Sequence, residues 1–475
     1  MASDSHRTRL LALAGPVYVE LLAGVVTGIV NMLWVARLGG AAVAAVAIAG
    51  NVENVLLGVA LMAGSGTTVL VARAVGARDP AGVRAAVRGG WALCALLAPV
   101  VAAGGWALRE PLAHLVLGGG SGSPELALTV GYFAISLPGM AVFFAQNQLD
   151  GVLKGAGDTR TPMRLALLAN GLILVLDPLL IFGPAALPEL GVRGAALATV
   201  LGRSVALAAG WLALRRNPVL RQARPARPAH SLPTGLRRTV ATGLPMSGDF
   251  LVRMTGSLVL VAIVARLGTT AIAGYGIATK AMYLATMGFY AIRQAAAIHT
   301  AHHLGARAAA QAGPEHPDRP DERPAIGRQA LLLGAGFGAG AALALLLLAP
   351  WVMRAFGAAP EVAAAGALYL RCLGPYLTLL ACYIALGGVF EASGASPRLM
   401  RVTLVGVAVQ LPLAHAFSGL GLPGICLAMA LSAALQCAAV LGMFRWLPRH
   451  PEPTGRLRGR HHDTSGAPSW TASLE

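Results

Sequence analysis

The chain has 475 residues, of which 56% are hydrophobic and only 12% are charged, and its mean hydropathy is +0.66. A water-soluble domain carries roughly 25% charged residues, so this composition excludes a soluble protein and indicates a polytopic membrane protein. The net charge is +17. The basic residues lie mainly in short segments between apolar runs, which is a signal of membrane topology rather than of nucleic-acid binding.

Twelve apolar segments are long enough to cross a membrane as helices, because about 20 helical residues span the roughly 30 Å of hydrocarbon. The strict alternation over about 10 residues that is typical of transmembrane β-strands is not seen. We therefore predict an all-α polytopic membrane protein with twelve transmembrane helices. The predicted spans are 10–35, 41–71, 89–108, 126–150, 163–183, 192–214, 238–264, 270–300, 328–353, 361–389, 398–418 and 423–447.

The basic residues also predict the orientation of the chain. With the N-terminus inside, the cytoplasmic segments hold 27 Lys and Arg residues and the outer loops hold five. Cytoplasmic loops of membrane proteins carry such an excess. We expect a multi-pass protein of the bacterial inner (plasma) membrane, with both termini cytoplasmic.

The two halves of the chain repeat each other. Val35–Ala49 (VARLGGAAVAAVAIA) and Val264–Ala278 (VARLGTTAIAGYGIA) are identical at nine of fifteen positions, at an offset of 229 residues, and the same offset aligns Pro16 with Pro245. This predicts two pseudo-symmetric six-helix lobes in the same orientation, with a cavity between and within them. An N-terminal lobe, a cytoplasmic linker, a C-terminal lobe and a disordered tail are predicted at residues 1–214, 215–237, 238–447 and 448–475.

Asp177 is the first of several ionisable residues inside the predicted spans. Such residues are expensive in hydrocarbon and usually face a cavity or a partner. Pro178 follows it, and because proline has no backbone N–H, a carbonyl group is freed near the carboxylate. A carboxylate inside a transmembrane span is suited to a proton-coupling site. The alternative is a structural acid that is satisfied by Asn170, by an arginine or by backbone amides.

Glu20 and Asp249 occupy the same position of the repeat, each one turn after a proline. We expect such an acid to pair with a basic residue, for example Arg203, Arg253 or Arg293, either as a structural ion pair or as a site of protonation.

Two further features concern helices 1 and 2. Glu53 lies in a polar patch of helix 2, and its repeat counterpart is near Lys280. We expect it to hold helices together by hydrogen bonds or to line the cavity. Pro16 lies inside the first span, where a proline removes a helical hydrogen bond. It forms either a static kink or a hinge.

The sequence lacks the signatures of an enzyme. It has no phosphate-binding GKS/T loop, and no His, Cys and carboxylate residues at metal-ligand spacing. His302 and His303 are interpreted as solvated residues at the edge of a loop. We expect no enzymatic activity, no metal and no cofactor.

Several stretches together resemble the multidrug and toxic compound extrusion (MATE) family, and within it the DinF-like branch. The resemblance covers roughly residues 10–447. It rests on the order of the motifs and on the internal repeat rather than on any single motif. The matching stretches are VARLGGAAVAAVAIA after the helix 1 proline, GTTVLVARAVGARD, GAGDTRTPM, LDPLLIFG, GVRGAALATVLGR, GLPMSGDF and ARLGTTAIAGYGIATK.

The resemblance implies a drug/cation antiporter with two six-helix lobes and a V-shaped central cleft. In similar proteins, the aspartate that matches Asp177 takes part in cation coupling, and the proline that matches Pro16 is associated with bending of helix 1. Two departures stand out. Asn31 occupies a position where relatives commonly carry an acid, and Ile173 replaces an asparagine, with Asn170 one turn earlier. The loss of oxygen ligands favours H+ over Na+ as the coupling ion.

The sequence therefore predicts a monomeric secondary antiporter that exports an organic, cationic or amphipathic compound in exchange for H+. The alternative is a lipid-linked oligosaccharide flippase, which needs a strongly basic cavity. Convergence of Arg203, Arg253, Lys280 and Arg293 on one cavity would favour it. A non-transporting membrane scaffold and a major-facilitator exporter fit the sequence less well.

Overall fold

The computed structural model describes residues 2–117, 124–183, 188–223, 225–312 and 320–445. In these residues the regular secondary structure is helical, apart from turns. The helices are α1 (Ala2–Ala36), α2 (Gly40–Gly76), α3 (Pro80–Ala107), α4 (Arg109–Leu117), α5 (Pro124–Gly155), α6 (Arg160–Phe182), α7 (Val192–Arg216), α8 (Pro218–Ala223), α9 (Leu232–Ala265), α10 (Thr269–Ala312), α11 (Arg323–Ala355), α12 (Pro360–Cys372), α13 (Gly374–Ala392), α14 (Ser396–Ala416) and α15 (Leu422–Arg445), with a 3₁₀ turn at Phe417–Leu420.

Eleven of these helices are long and apolar enough to cross a membrane. The more polar α10, with 44 residues, takes the place of the predicted span 270–300. The prediction of one helix over 361–389 is wrong, because the chain forms α12 and α13 there, with a break at Leu373. Pro375 accounts for the break, since its ring leaves no N–H to bond the preceding turn.

Several helices extend beyond the predicted spans. α3 begins at Pro80 rather than at residue 89, because the Asp79 side chain accepts a hydrogen bond of 2.9 Å from the Gly82 amide and proline suits a first turn. α10 continues to Ala312, beyond the end of the predicted span 270–300. The predicted linker 215–237 contains α8 and the start of α9. The predicted disordered tail lies outside the described residues.

Small residues bring the helices of the N-terminal half into close contact. α2 packs along α5, where a Cβ added to Gly151 would lie 2.5 Å from the carbonyl oxygen of Gly64. Close approach through glycine is typical of helix pairs in membranes, where association depends on packing and hydrogen bonds. A similar approach joins α6 to α7, where a Cβ on Gly194 would lie 2.3 Å from the carbonyl oxygen of Leu180.

The two halves meet over the half of the bundle that ends in the α2–α3 and α5–α6 turns, which we call the basic end. A Cβ on Gly243 of α9 would lie 1.9 Å from the Met62 carbonyl oxygen, and one on Gly305 of α10 would lie 1.9 Å from that of Arg73. Arg73 also donates a hydrogen bond to the carbonyl of Ala392. The lobes are therefore in backbone contact at the basic end.

α1 contacts both lobes. Leu10, Leu13 and Val17 pack with residues of α10, α11 and α13 in the C-terminal lobe. Further along the helix, Val35 belongs to a core cluster of the N-terminal lobe. Pro16 lies inside the continuous helix, close to the point where its packing partners change.

Candidate functional site

The first part of the site joins α1 to α6. Asp177 of α6 is completely buried. Its Oδ2 accepts a hydrogen bond of 2.9 Å from Asn31 Nδ2 of α1, whereas its Oδ1 has no hydrogen-bond partner among the described residues. Asn31, rather than Asn170, is therefore the amide that binds this carboxylate. Ile173, one turn before Asp177, is buried and adds no polar atom.

Tyr132 of α5 connects this site to a second acid. The tyrosine is buried and lies within electrostatic reach of both Asp177 and Glu53. Glu53 of α2 in turn lies beside Ser136 and has Arg203 of α7 as a neighbouring positive charge. No role was predicted for Tyr132 from the sequence. The signal that would have identified it is its spacing of four residues from Ser136 on α5.

The acid–base contacts continue along α5 towards the basic end. Gln146 donates to Asp150 at 3.2 Å, and Lys154 forms an ion pair with Glu20 of α1 at 2.7 Å. Asp150 lies near both Lys154 and Arg203. Because residues four apart share one face of a helix, these three side chains of α5 form a polar stripe.

Lys154 is the basic partner of Glu20, in place of the three arginines that were named as examples. The predicted topology placed Lys154 in a loop beyond the fourth span, whereas α5 continues to Gly155. The lysine is therefore a buried helical residue that reaches α1. From residue 132 to residue 154, the polar positions of α5 extend over about 33 Å of helix.

In the C-terminal lobe, the acid Asp249 is enclosed by partners. Arg293 donates to Asp249 at 2.9 Å and to Glu391 at 2.6 Å, and Arg253 and Thr403 also bind Asp249. The expected pairing of Asp249 with an arginine agrees with this geometry. Glu391, at the end of α13, is a buried acid that lies just beyond the tenth predicted span, which ended at residue 389.

The four basic residues considered for a pyrophosphate site do not form one basic group. Arg253 and Arg293 are bound to acids in the C-terminal lobe. The Arg203 guanidinium lies 4.5 Å from the centre of the Phe143 ring and near two N-lobe acids. Lys280 is exposed on α10. The cations are thus distributed over both lobes, and the three arginines lie beside acids.

A family model described as MatE matches the chain twice, at residues 16–179 and 245–415. The chain belongs to the MatE family. Its members are transporters, so the chain is a membrane transporter of small organic compounds and not an enzyme. The two matches cover the two halves of the internal repeat. The predicted placement in the DinF-like branch stays a prediction.

Two curated relatives and one solved structure illustrate the similarity. The chain is 27% identical over 417 residues to the "Probable multidrug resistance protein NorM" of Thermotoga maritima, which covers 86% of this chain and 85% of that protein. It is 25% identical over 272 residues to the "FAD transporter" of Shewanella oneidensis, covering 57% of this chain and 59% of that one. A MATE crystal structure in complex with MaL6 superposes with a TM-score of 0.81 at 21% identity, covering 93% of this chain and 95% of that chain. The last comparison shows the twelve-helix, two-lobed MATE fold.

Proposed function

We propose that this MatE-family protein is an antiporter that exports cationic or amphipathic organic compounds in exchange for H+. The observation that supports this proposal is the state of Asp177. Its carboxylate is completely buried, one oxygen is bound by Asn31, and the other has no hydrogen-bond partner in the described part of the chain. A buried charge that is only partly hydrogen-bonded is costly, and binding a proton at the free oxygen neutralises that charge.

The surroundings of Asp177 favour H+ over Na+. The amide of Asn31 presents its nitrogen, which is a hydrogen-bond donor, to the carboxylate. A bound metal cation needs oxygen ligands at that position. Ile173, one turn away, supplies none. A proton needs only the free carboxylate oxygen.

One proton per cycle is energetically sufficient. A charge that moves through about 150 mV releases roughly 3.5 kcal/mol. Because about 1.4 kcal/mol corresponds to a tenfold ratio, this free energy supports an export gradient of a few hundred-fold at a stoichiometry of one to one.

The contacts of α1 support a route from the proton to the second lobe. Protonation of Asp177 neutralises the acceptor of the α1–α6 hydrogen bond, so it weakens the attachment of Asn31 to the N-terminal lobe. The first turns of α1 pack on the C-terminal lobe. In this proposal Pro16 is the bending point between the two attachments, and the basic end is cytoplasmic in a bacterial inner membrane.

The flippase alternative receives less support. A lipid-linked pyrophosphate needs several cations without partners, whereas Arg253 and Arg293 both pair with Asp249, and Arg293 also pairs with Glu391. One relative is named a FAD transporter, so flavin nucleotides belong in the substrate panel beside organic cations.

The test is transport by purified protein in proteoliposomes, with H+ and Na+ gradients imposed separately against a panel of fluorescent cations and flavins. We expect uptake driven by the H+ gradient alone, and its loss in Asp177→Asn. Asp158→Asn is the matched control, because it makes the same chemical change at the start of the same helix, where Asp158 caps Thr161. Uptake at the wild-type rate by Asp177→Asn, or uptake driven only by Na+, would contradict the proposal.

A further inference from the structure

Three histidines meet at the basic end of the bundle. His6 lies on α1, and His299 and His303 lie one turn apart on α10. Their ring centroids are 4.7 to 5.4 Å apart. Each offers a ring nitrogen, and these nitrogens all lie within 4.8 Å of one another. His6 Nδ1 and His299 Nε2 are separated by 3.0 Å. The interpretation of His303 as a solvated loop residue is therefore wrong, because α10 continues through it and turns it towards α1.

Glu322, which immediately precedes α11, adds a carboxylate to the three imidazoles. Its Oε2 lies 2.5 Å from His303 Nδ1 and 3.8 Å from His6 Nε2. Two of these residues, His303 and Glu322, also line a small cavity together with Asp321 and neighbouring side chains. Three imidazoles and one carboxylate thus converge from three separate segments of the chain. His6 faces His299 through Nδ1 and Glu322 through Nε2, so the His6 ring or the Glu322 side chain must shift for all four residues to bind one ion.

We propose that His6, His299, His303 and Glu322 bind a divalent transition-metal ion, with Zn²⁺ as the best fit. Zinc takes four ligands in a tetrahedron, with Zn–N distances of about 2.0–2.1 Å, which places neighbouring ligand atoms about 3.3 Å apart. The separation of 3.0 Å between His6 and His299 is close to that value. The remaining separations need side-chain movements of an ångström or so. Four protein ligands leave no open position, so the site is structural rather than catalytic.

The charges around the site are compatible with a cation. Arg307 and Arg323 lie nearby, and both pair with Asp321, at 3.3 and 2.5 Å. Asp321 therefore offsets the charges of these two arginines. Arg9 is a further positive neighbour of His299.

The position of the site indicates what the metal would do. His6 belongs to α1, whereas the other three ligands belong to α10 and to the start of α11 in the C-terminal lobe. A bound ion would tie α1 to that lobe and stabilise the closed basic end. Metal binding does not depend on the proposed function. We also expect bound Zn²⁺ to slow export by holding the basic end closed, and this second expectation does rest on the proposed function.

The test measures Zn²⁺ and Co²⁺ binding to the full-length protein in detergent. No sample carries a polyhistidine tag, and all carry His461→Ala and His462→Ala, since that pair in the tail offers two further imidazoles. We expect one Co²⁺ per chain with the intense visible absorption of a tetrahedral site, and a loss of affinity of more than about 100-fold in His299→Ala. Glu322→Gln makes a smaller change to the fold and should also weaken binding.

His302→Ala is the matched control. His302 is adjacent to the cluster on α10, but it contacts the carbonyl of Gly155 instead. We expect its Co²⁺ spectrum and affinity to match those of the wild type. Zn²⁺ should raise the thermal unfolding temperature of the wild type and of this control, but not that of His299→Ala. Absence of Co²⁺ binding in the wild type, or equal binding in folded His299→Ala and Glu322→Gln, would overturn the proposal.

Discussion

The buried ion pair of Glu20 and Lys154 has a counterpart with altered charges in the second half of the chain. Glu20 corresponds to Asp249 in the repeat, and Lys154 corresponds to Glu391. The N-terminal lobe thus pairs an acid with a base, whereas the C-terminal lobe places two acids at the same positions and bridges them through Arg293. The two lobes solve the same packing problem with different electrostatics.

This ion pair leads to a prediction about stability. Lys154→Met leaves the carboxylate of Glu20 buried without its base, which we expect to lower the free energy of unfolding by about 3–5 kcal/mol. Adding Glu20→Gln should recover part of the loss, with an interaction energy of about 1–3 kcal/mol between the two sites. Unfolding in mixtures of detergent and SDS measures both quantities. Strict additivity of the two substitutions would show that the pair does not act as a unit.

For individual residues, the sequence identified the buried acids more reliably than the side chains that bind them. Asp177 was recognisable because a carboxylate inside an apolar span is rare, and Asn31 because an acid is common there in the family. Lys154 and Glu391 were missed because both lie in the last turn of helices that extend beyond their predicted spans. A charge near the end of an apolar run is compatible with a solvated loop, and only the packing of α5 and α13 shows that these two are buried.

Among the helices, α1 packs against both lobes. Its first turns pack on the C-terminal lobe around Leu13, and its later turns reach the N-terminal lobe through Asn31 and Val35. Pro16 cannot donate a hydrogen bond to the carbonyl four residues earlier. The helix therefore resists bending least near the point where its packing changes from one lobe to the other.

Replacing this proline should therefore stiffen α1. In Pro16→Ala the backbone N–H can bond the carbonyl of residue 12, and we expect a slower rate of export with substrate binding retained. Spin labels on the two ends of α1 should show a narrower distance distribution than in the wild type. Pro245→Ala, at the repeat position in α9, is the matched control and should leave the α1 distances unchanged. Equal rates in Pro16→Ala and the wild type would indicate a static kink.

The limits of helices were harder to predict than their existence. The length of each apolar run located the membrane-crossing segments. It indicates which residues lie in the hydrocarbon of the bilayer, but not where the hydrogen bonds of the helix end. The cap of Asp79 and the continuation of α10 beyond His303 are local effects outside the apolar windows. The break before α13 had a visible signal in Gly374 and Pro375, which the apolar pattern concealed.

For the molecule as a whole, the contact between the lobes at the basic end depends on glycine. Gly243 and Gly305 allow the backbones of α9 and α10 to touch α2, and His302 adds a hydrogen bond of 3.1 Å to the Gly155 carbonyl across the same interface. This arrangement leaves no room for a β-carbon at either glycine. Closing of the basic end therefore needs close backbone packing.

A single methyl group should disturb this closure. In Gly243→Ala the new Cβ would lie 1.9 Å from the Met62 carbonyl oxygen, so α9 and α2 must separate. We expect a larger distance between spin labels on the two lobes at the basic end and reduced H+-driven transport. Gly276→Ala on α10 is the control, because a Cβ there meets no atom within 4 Å. Unchanged distances in Gly243→Ala would show that the interface is compliant.

The repeat made the global architecture predictable. The offset that relates Pro16 to Pro245 also relates the two repeated stretches, and this indicates two similar halves. The histidine cluster was not predictable in the same way. His6 and His299 are 293 residues apart, and metal-binding motifs are recognised by local spacing. Their meeting depends on how α1 crosses onto the other lobe, which the hydrophobic pattern of a single chain does not encode.

The continuity of α1 has a thermodynamic consequence. His6 and Asn31 stand 25 residues apart on one uninterrupted helix, or about 37 Å, so one end of the same helix reaches the histidines and the other reaches Asp177. Two binding equilibria that share a mobile element are linked, and the linkage is reciprocal. If a proton at Asp177 lowers the affinity of the histidines for metal by some factor, then metal lowers the affinity of Asp177 for protons by that same factor. An increase in bound Zn²⁺ would then be measurable as a release of H+ on the far side of the bundle.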